Sequence, residues 1–196
     1  MQLFLNVYLK IFFMLTPFFV MTVFLAMTKN HEEAAKRKTV TRLTIAVVII
    51  AFILFFFGKY IFSLFGVTLD AFRIGAGVLL FLSAVSLVQG APTVQKQTEN
   101  EDIVVVPLAI PVMVGPGTVG VLMVMSAELD AASTRIVASS ALLCAILSAC
   151  ALLYLASAFE RRLGQLRLTI ISKLTGLILA SIAAQMIFTG IRHFLR

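Results

Sequence analysis

Six apolar runs, at 3–28, 43–66, 71–90, 103–127, 136–159 and 169–191, take up nearly all of the 196 residues. About 20 apolar residues cross the hydrocarbon core of a bilayer as a helix. Hydrocarbon offers the backbone no outside hydrogen-bond partner, so a spanning segment must be helical or part of a closed barrel. Runs this long and this apolar predict an all-α polytopic membrane protein with six transmembrane helices. Hydrophobic residues make up 61% of the chain and charged residues 13%, and no stretch between the runs is long enough to bury a core of its own. The first run is longer than a signal-peptide core, contains Lys10 and lacks a small-x-small cleavage site, so it is counted as a helix.

The formal net charge is +7, but its placement argues against nucleic acid, which selects basic residues on one folded surface. Here the basic residues flank spans. Nine fall on one side (Lys29, Lys36, Arg37, Lys38, Arg42, Lys96, Arg161, Arg162 and Arg167) and five on the other (Lys59, Arg73, Arg135, Arg192 and Arg196). The positive-inside rule then makes 29–42, 91–102 and 160–168 cytoplasmic and sends both termini outside. Cys144 and Cys150 lie within one run, with no metal-ligand spacing, and are expected to pack.

The fourth run contains "IPVMVGPGTVGVLM", residues 110–123, with Pro111, Gly115, Pro116, Gly117 and Gly120 close together. Proline inside a helix removes a donor and clashes one turn back. A span broken here needs a reason, and an internal repeat supplies one. Shifted by 99 residues, Pro17 falls on Pro116, Leu69 on Leu168, Gly77 on Gly176, Leu80 on Leu179 and Ala84 on Ala183. Three spans (1–90), a polar cytoplasmic linker (91–102, "APTVQKQTENED") and three more spans (103–196) make a 3+3 repeat. Because three is odd, the second copy is inverted relative to the first. Inverted repeats with helices interrupted at matching positions mark secondary transporters.

With helices 1 and 4 broken at Pro17 and Pro116, segments 17–28 and 116–127 become half-helices about 18 Å long. Their amino-terminal ends meet near the midplane. Each presents unpaired N–H groups and a partial positive charge, suited to a carboxylate. The candidate substrate residues are Thr16, Pro17, Gly115, Pro116, Gly117 and Thr118, with Gly115, Gly117 and Gly120 allowing a ligand close to the backbone.

Other polar residues in the runs ask for less. Ser83, Ser86, Ser126, Ser148 and Ser181 are small hydroxyls able to bond their own helix, and Gln185 is expected to pack. Asp70 and Arg73 form an i, i+3 pair expected at a solvated helix end. The small-residue stripes Ala141, Ala145, Ala149 and Gly176, Ala180, Ala184 suggest that the fifth and sixth spans pack together, or that subunits of a homo-oligomer do. The runs hold no mid-span carboxylate, and His31 and His193 sit at span ends, so no acid–base group is available for a membrane enzyme. No cofactor is called for, and the coupling ion is left between Na+ and H+.

"VVPLAIPVMVGPGTVGVLMV" (105–124) resembles the signature of MarC-family integral membrane proteins, Pro-Leu-Ala-Ile-Pro followed by Gly-Pro. "AFRIGAGVLLFLSAVSLV" (71–88) and "GLILASIAAQMIFTGI" (176–191) resemble that family's third and sixth spans. The resemblance covers almost the whole chain and implies a six-span, inverted-repeat protein of the LysE exporter type. It also implies transport of small neutral amino acids or similar zwitterions across a bacterial cytoplasmic (inner) membrane. Pro107, Pro111, Gly115, Pro116 and Gly117 carry the pattern. The first broken helix departs from it: where the family has Asn-Pro-x-Gly-Asn-x-Pro, this chain has Thr16-Pro17-Phe18-Phe19-Val20-Met21-Thr22. Two amides are absent and two phenylalanines present, which implies a smaller, more apolar cavity or a first half turned structural. The expected function is secondary transport of such zwitterions. The alternatives are a transporter or flippase for a more apolar solute and a non-transporting membrane scaffold.

Overall fold

The computed structural model describes residues 2–28, 31–89, 109, 113–129 and 131–195. Every regular element among them is a helix: α1 Gln2–Met14, α2 Pro17–Met27, α3 Glu33–Phe65, α4 Leu69–Gln89, α5 Pro116–Glu128, α6 Ala132–Tyr154 and α7 Ala156–Phe194. Five stretches are long and apolar enough to cross a membrane: Gln2–Leu25, Glu33–Phe62, Leu69–Gln89, Ala132–Tyr154 and Leu166–Phe194. The linker 91–102, Pro107, Pro111 and the first residues of the fourth run lie outside the described residues. Of that run, α5 is the described helix, and its 13 residues reach only about 20 Å.

The interrupted elements are inside and the uninterrupted ones outside. The first stretch is the most buried of the five spans, and nine of the 13 residues of α5 are buried. A backbone with missing helical bonds cannot face lipid, so the fold places it in protein. The long helices carry the lipid-facing surface, with Leu64 80%, Ile136 70% and Phe188 71% exposed. That much apolar exposure suits a bilayer and not water.

Helix pairing follows small residues. α4 packs most extensively against α7, α1 against α6, and α3 against α5, with further contact of α5 on α4 and of α2 on α7. In the α4–α7 seam a side chain on Gly77 would meet Ile187 Cγ1 and the Ala183 carbonyl. One on Gly176 would meet Val88 Cγ2 and the Ala84 carbonyl. Gly58 brings α3 onto the Met123 backbone of α5, and Lys59 N–H donates to Ser126 Oγ at 3.1 Å. Ala141, Ala145 and Ala149 are fully buried. They serve α6 against α1 and α3, however, because α6 has little contact with α7; the expected pairing of the fifth and sixth spans is not the one formed. Tyr8 Oη donates to Ser148 Oγ at 3.0 Å across the α1–α6 contact.

Helix limits differ from run limits in two places. α3 begins at Glu33, so Lys36, Arg37, Lys38 and Arg42 ride on its first turns instead of filling a loop. α7 runs through 160–168, interrupted only by non-helical dihedrals at Gly164 (φ 71°, ψ 158°). Hydropathy marks where the bilayer ends, while charged residues such as Glu, Lys and Arg remain good helix formers beyond it.

Candidate functional site

The first helix breaks after Met14. Leu15 and Thr16 N–H groups close the end of α1 on Ile11 O (2.9 Å) and Phe13 O (3.0 Å), and Pro17 opens α2. Proline disfavours the right-handed helical region for the residue before it, and Thr16 takes φ 45°, ψ 52°, left-handed. For a β-branched residue that conformation is strained, and it turns the chain sharply at a buried position. Ahead of α5, Val114 N–H bonds Ala109 O at 2.9 Å. Gly115 then enters extended, and Pro116 is the first helical residue, where a missing N–H loses no bond.

These two interruptions meet. Thr118 Oγ1 donates to the Met14 carbonyl at 3.3 Å, tying the start of α5 to the end of α1. Beside that bond lies a cavity of about 270 Å³, just below the usual range of roughly 300–1,000 Å³ for small-molecule sites. Thr16, Gly115, Pro116, Gly117 and Thr118 line it; Pro17, the sixth candidate, is buried next to it without lining it. Phe19 forms part of the wall and Phe18 does not. The far wall comes from α4, through Leu79, Leu80, Ser83 and Ser86, and from Leu179 of α7. From the sequence the serines are hydroxyls able to bond their own helix, as Ser83 does at Leu79 O. Their three-residue spacing on one helix face was the available signal.

Chemically the cavity offers both polarities inside an apolar wall. By position, the N–H groups of Gly117 and Thr118 in the first turn of α5 have no intrahelical acceptor, and an anionic group is favoured there. Thr118 and Ser83 donate their hydroxyl protons to carbonyls, the latter to Leu79 O at 2.9 Å. Their oxygens are thus left as acceptors. The glycines act differently from expectation. A side chain on Gly117 would strike Leu80, and one on Gly120 would strike Ala76 Cβ. The close approach each allows is to α4.

A second cavity, of about 530 Å³, lies further toward the N-terminal end of α1, among α1, α4, α5 and α7. Arg73 sits in its wall, and it is not on a solvated helix end. It is buried, 7% exposed, donates to Asp70 Oδ1 at 2.7 Å and pairs with Glu128 of α5. Its Nη1 also lies 3.4 Å from His193 Nδ1. Lys10 and Gln185 line the same cavity. An i, i+3 spacing pointed to Asp70 alone, and nothing in the sequence pointed to Glu128, 55 residues away.

The family follows from comparison across the whole chain. Residues 1–195 match the profile described as MarC family integral membrane protein. The chain belongs to the MarC family. Among its relatives, a UPF0056 membrane protein of Methanocaldococcus jannaschii is 31% identical over 199 residues, covering 98% of this chain and 97% of its own. The UPF0056 membrane protein YhcE of Escherichia coli is 31% identical over 193 residues (94% and 90%), and YvbG of Bacillus subtilis 32% over 203 (95% and 93%). No solved structure matches significantly. MarC membership makes this a multi-pass integral membrane protein in contact with the lipid bilayer.

Proposed function

We propose that this MarC-family protein is a secondary transporter, an exporter or exchanger and not an enzyme, for small neutral amino acids or similar zwitterions. The observation that carries the reading is the lining of the smaller cavity. Thr16 and Gly115, Phe19 and Thr118, Leu80 and Leu179 all line it, and each pair is separated by the 99 residues of the sequence repeat. A site at the interface of two inverted repeats, beside half-helix amino termini, is what alternating access requires.

Packing supports the same repeat. The contact of Gly77 with Ala183 and Ile187 becomes, under the shift, that of Gly176 with Ala84 and Val88, and both are present. Exchanging the halves likewise turns the contact of α5 with α4 into that of α2 with α7, both present, and maps α4–α7 onto itself. On this reading the protein is six spans in a 3+3 inverted arrangement, 1–90 and 103–196 joined by a cytoplasmic linker. It lies in the cytoplasmic membrane with both termini outside. The solute carboxylate lies on the first turn of α5, and its ammonium on the oxygens of Thr118 and Ser83. Thr16, Pro17, Gly115, Pro116 and Gly117 shape the site.

The leucines and Phe19 favour a second reading, in which the solute is more apolar. Counterflow of labelled alanine into proteoliposomes separates the two. Alanine is expected to exchange, with serine competing and alaninamide, arginine and glutamate competing poorly, because an unpaired charge in a dry site is heavily penalised. Equal competition by alaninamide would discard the anchored carboxylate and put the apolar solute first.

A further inference from the structure

The larger cavity holds charge that the fold does not require. Shifted by 99 residues, Lys10 falls on Ala109 and Arg73 on Ser172. Both counterparts are buried, and Ser172 simply bonds its own helix at Leu168 O, 2.9 Å. One repeat therefore builds this position from alanine and serine, while the other places two cations there, Arg73 buried and Lys10 exposed at the cavity. Charged side chains inside membrane spans are expensive and mark solute paths by default.

Arg73 is already occupied, held by Asp70 and by Oε1 of Glu128. Lys10 is not: among the described residues it makes no hydrogen bond or ion pair at contact distance, although it is within electrostatic reach of Glu128 and Arg73. Beyond its Oε1 contact with Arg73, the Glu128 side chain is 46% exposed. Apart from His193, whose Nδ1 lies 3.7 Å from Asp70 Oδ1, two cations face two carboxylates, so a singly charged solute would unbalance the cluster and a dipolar one would not. The cavity is also in line with the smaller one. On α4, Arg73 faces the larger cavity and Leu80 the smaller, seven residues or about 10 Å along the helix. Between them Ala76 and Gly120 bring α4 and α5 together, with Met186 Cε beside the seam.

We propose that the larger cavity is a second solute site on the N-terminal side of the same path, in which Lys10 takes the carboxylate and Glu128 the ammonium of a small zwitterion. This rests on the transport reading above, with Ala76, Gly120 and Met186 as the closure between the two sites.

Thr189 lines this cavity without taking part in the proposed contacts, and serves as a reporter. In a Cys144→Ser, Cys150→Ser background, Thr189→Cys is treated with an impermeant anionic thiosulfonate, with L-alanine as the probe. Alanine is expected to slow the labelling and alaninamide to leave it unchanged. Adding Lys10→Met should weaken alanine's apparent affinity about tenfold or more, the loss expected for one charged hydrogen bond, and Lys10→Arg should retain it. Labelling indifferent to alanine, or protection unaltered by Lys10→Met, overturns the site. Wild-type alanine counterflow is measured in parallel. Protection without counterflow keeps this site and removes the transport reading; counterflow without protection does the reverse.

Discussion

At Gly117 the absent side chain is explained by a neighbour. A Cβ there would lie 2.3 Å from Leu80 Cδ1 and 2.9 Å from Leu80 Cβ, so a rotamer change of Leu80 cannot relieve the clash. Gly117→Ala is expected to destabilise the protein by about 1–3 kcal/mol, as overpacking does. Leu80→Ala should cost about 2–5 kcal/mol through the space it leaves. The two share one contact, so the double variant should lose less than the sum, by about 0.5–3 kcal/mol. Thermal melts of the four proteins in one detergent measure this. Strict additivity would mean that Gly117 answers to something other than Leu80. The sequence showed where the backbone is pinched, because glycine and proline act locally on dihedrals and donors. It did not show what does the pinching, because Leu80 is ordinary in its own helix. Arg73 was misjudged for the same reason: Asp70 is one turn away, whereas Glu128 arrives only through folding.

Among the elements, the breaks at Thr16–Pro17 and Gly115–Pro116 were legible because residue chemistry alone dictates them. The extents of α3 and α7 were not, since a helix that leaves the bilayer keeps its own hydrogen bonds and only its hydropathy changes. Partner choice was legible in part. Gly176 belongs to a seam as its stripe suggested, but the partner is α4, where Gly77 supplies the matching gap. That seam makes a test of the repeat. Gly77→Ala would set a Cβ 2.7 Å from Ile187 Cγ1 and 3.2 Å from the Ala183 carbonyl, and Gly176→Ala one 2.8 Å from Val88 Cγ2 and 3.2 Å from the Ala84 carbonyl. Equal geometry predicts equal losses, each about 1–3 kcal/mol. Gly75 is the control, with nothing within 4 Å of its Cβ position. Gly75→Ala should be stabilising by up to about 1 kcal/mol from helix propensity. Melting temperatures of the three variants decide it, and a large difference between the two seam glycines would mean that the repeat does not extend to packing.

At the scale of the whole molecule, the proposed topology decides how the two cavities face. Lys36, Arg37, Lys38 and Arg42 begin α3, and on the proposed topology the excess of Lys and Arg there and in the other odd connections places that end in the cytoplasm. From that end α3 crosses once and α4 crosses back to the linker, so the start of α4 and the end of α5 share the opposite side. Arg73 and Glu128 lie at those two ends and both line the larger cavity. The orientation that puts Glu32 inside therefore opens the charged site to the exterior and leaves the smaller cavity deeper. Glu32 and Ser133 are both exposed and report opposite sides. In intact cells, with Cys144→Ser and Cys150→Ser in place, Glu32→Cys should resist an impermeant maleimide until the membrane is permeabilised, and Ser133→Cys should react at once. The reverse pattern would turn the charged cavity toward the cytoplasm, where it would be the loading site for export, and would require the topology signals of 29–42 to be overridden by another part of the chain.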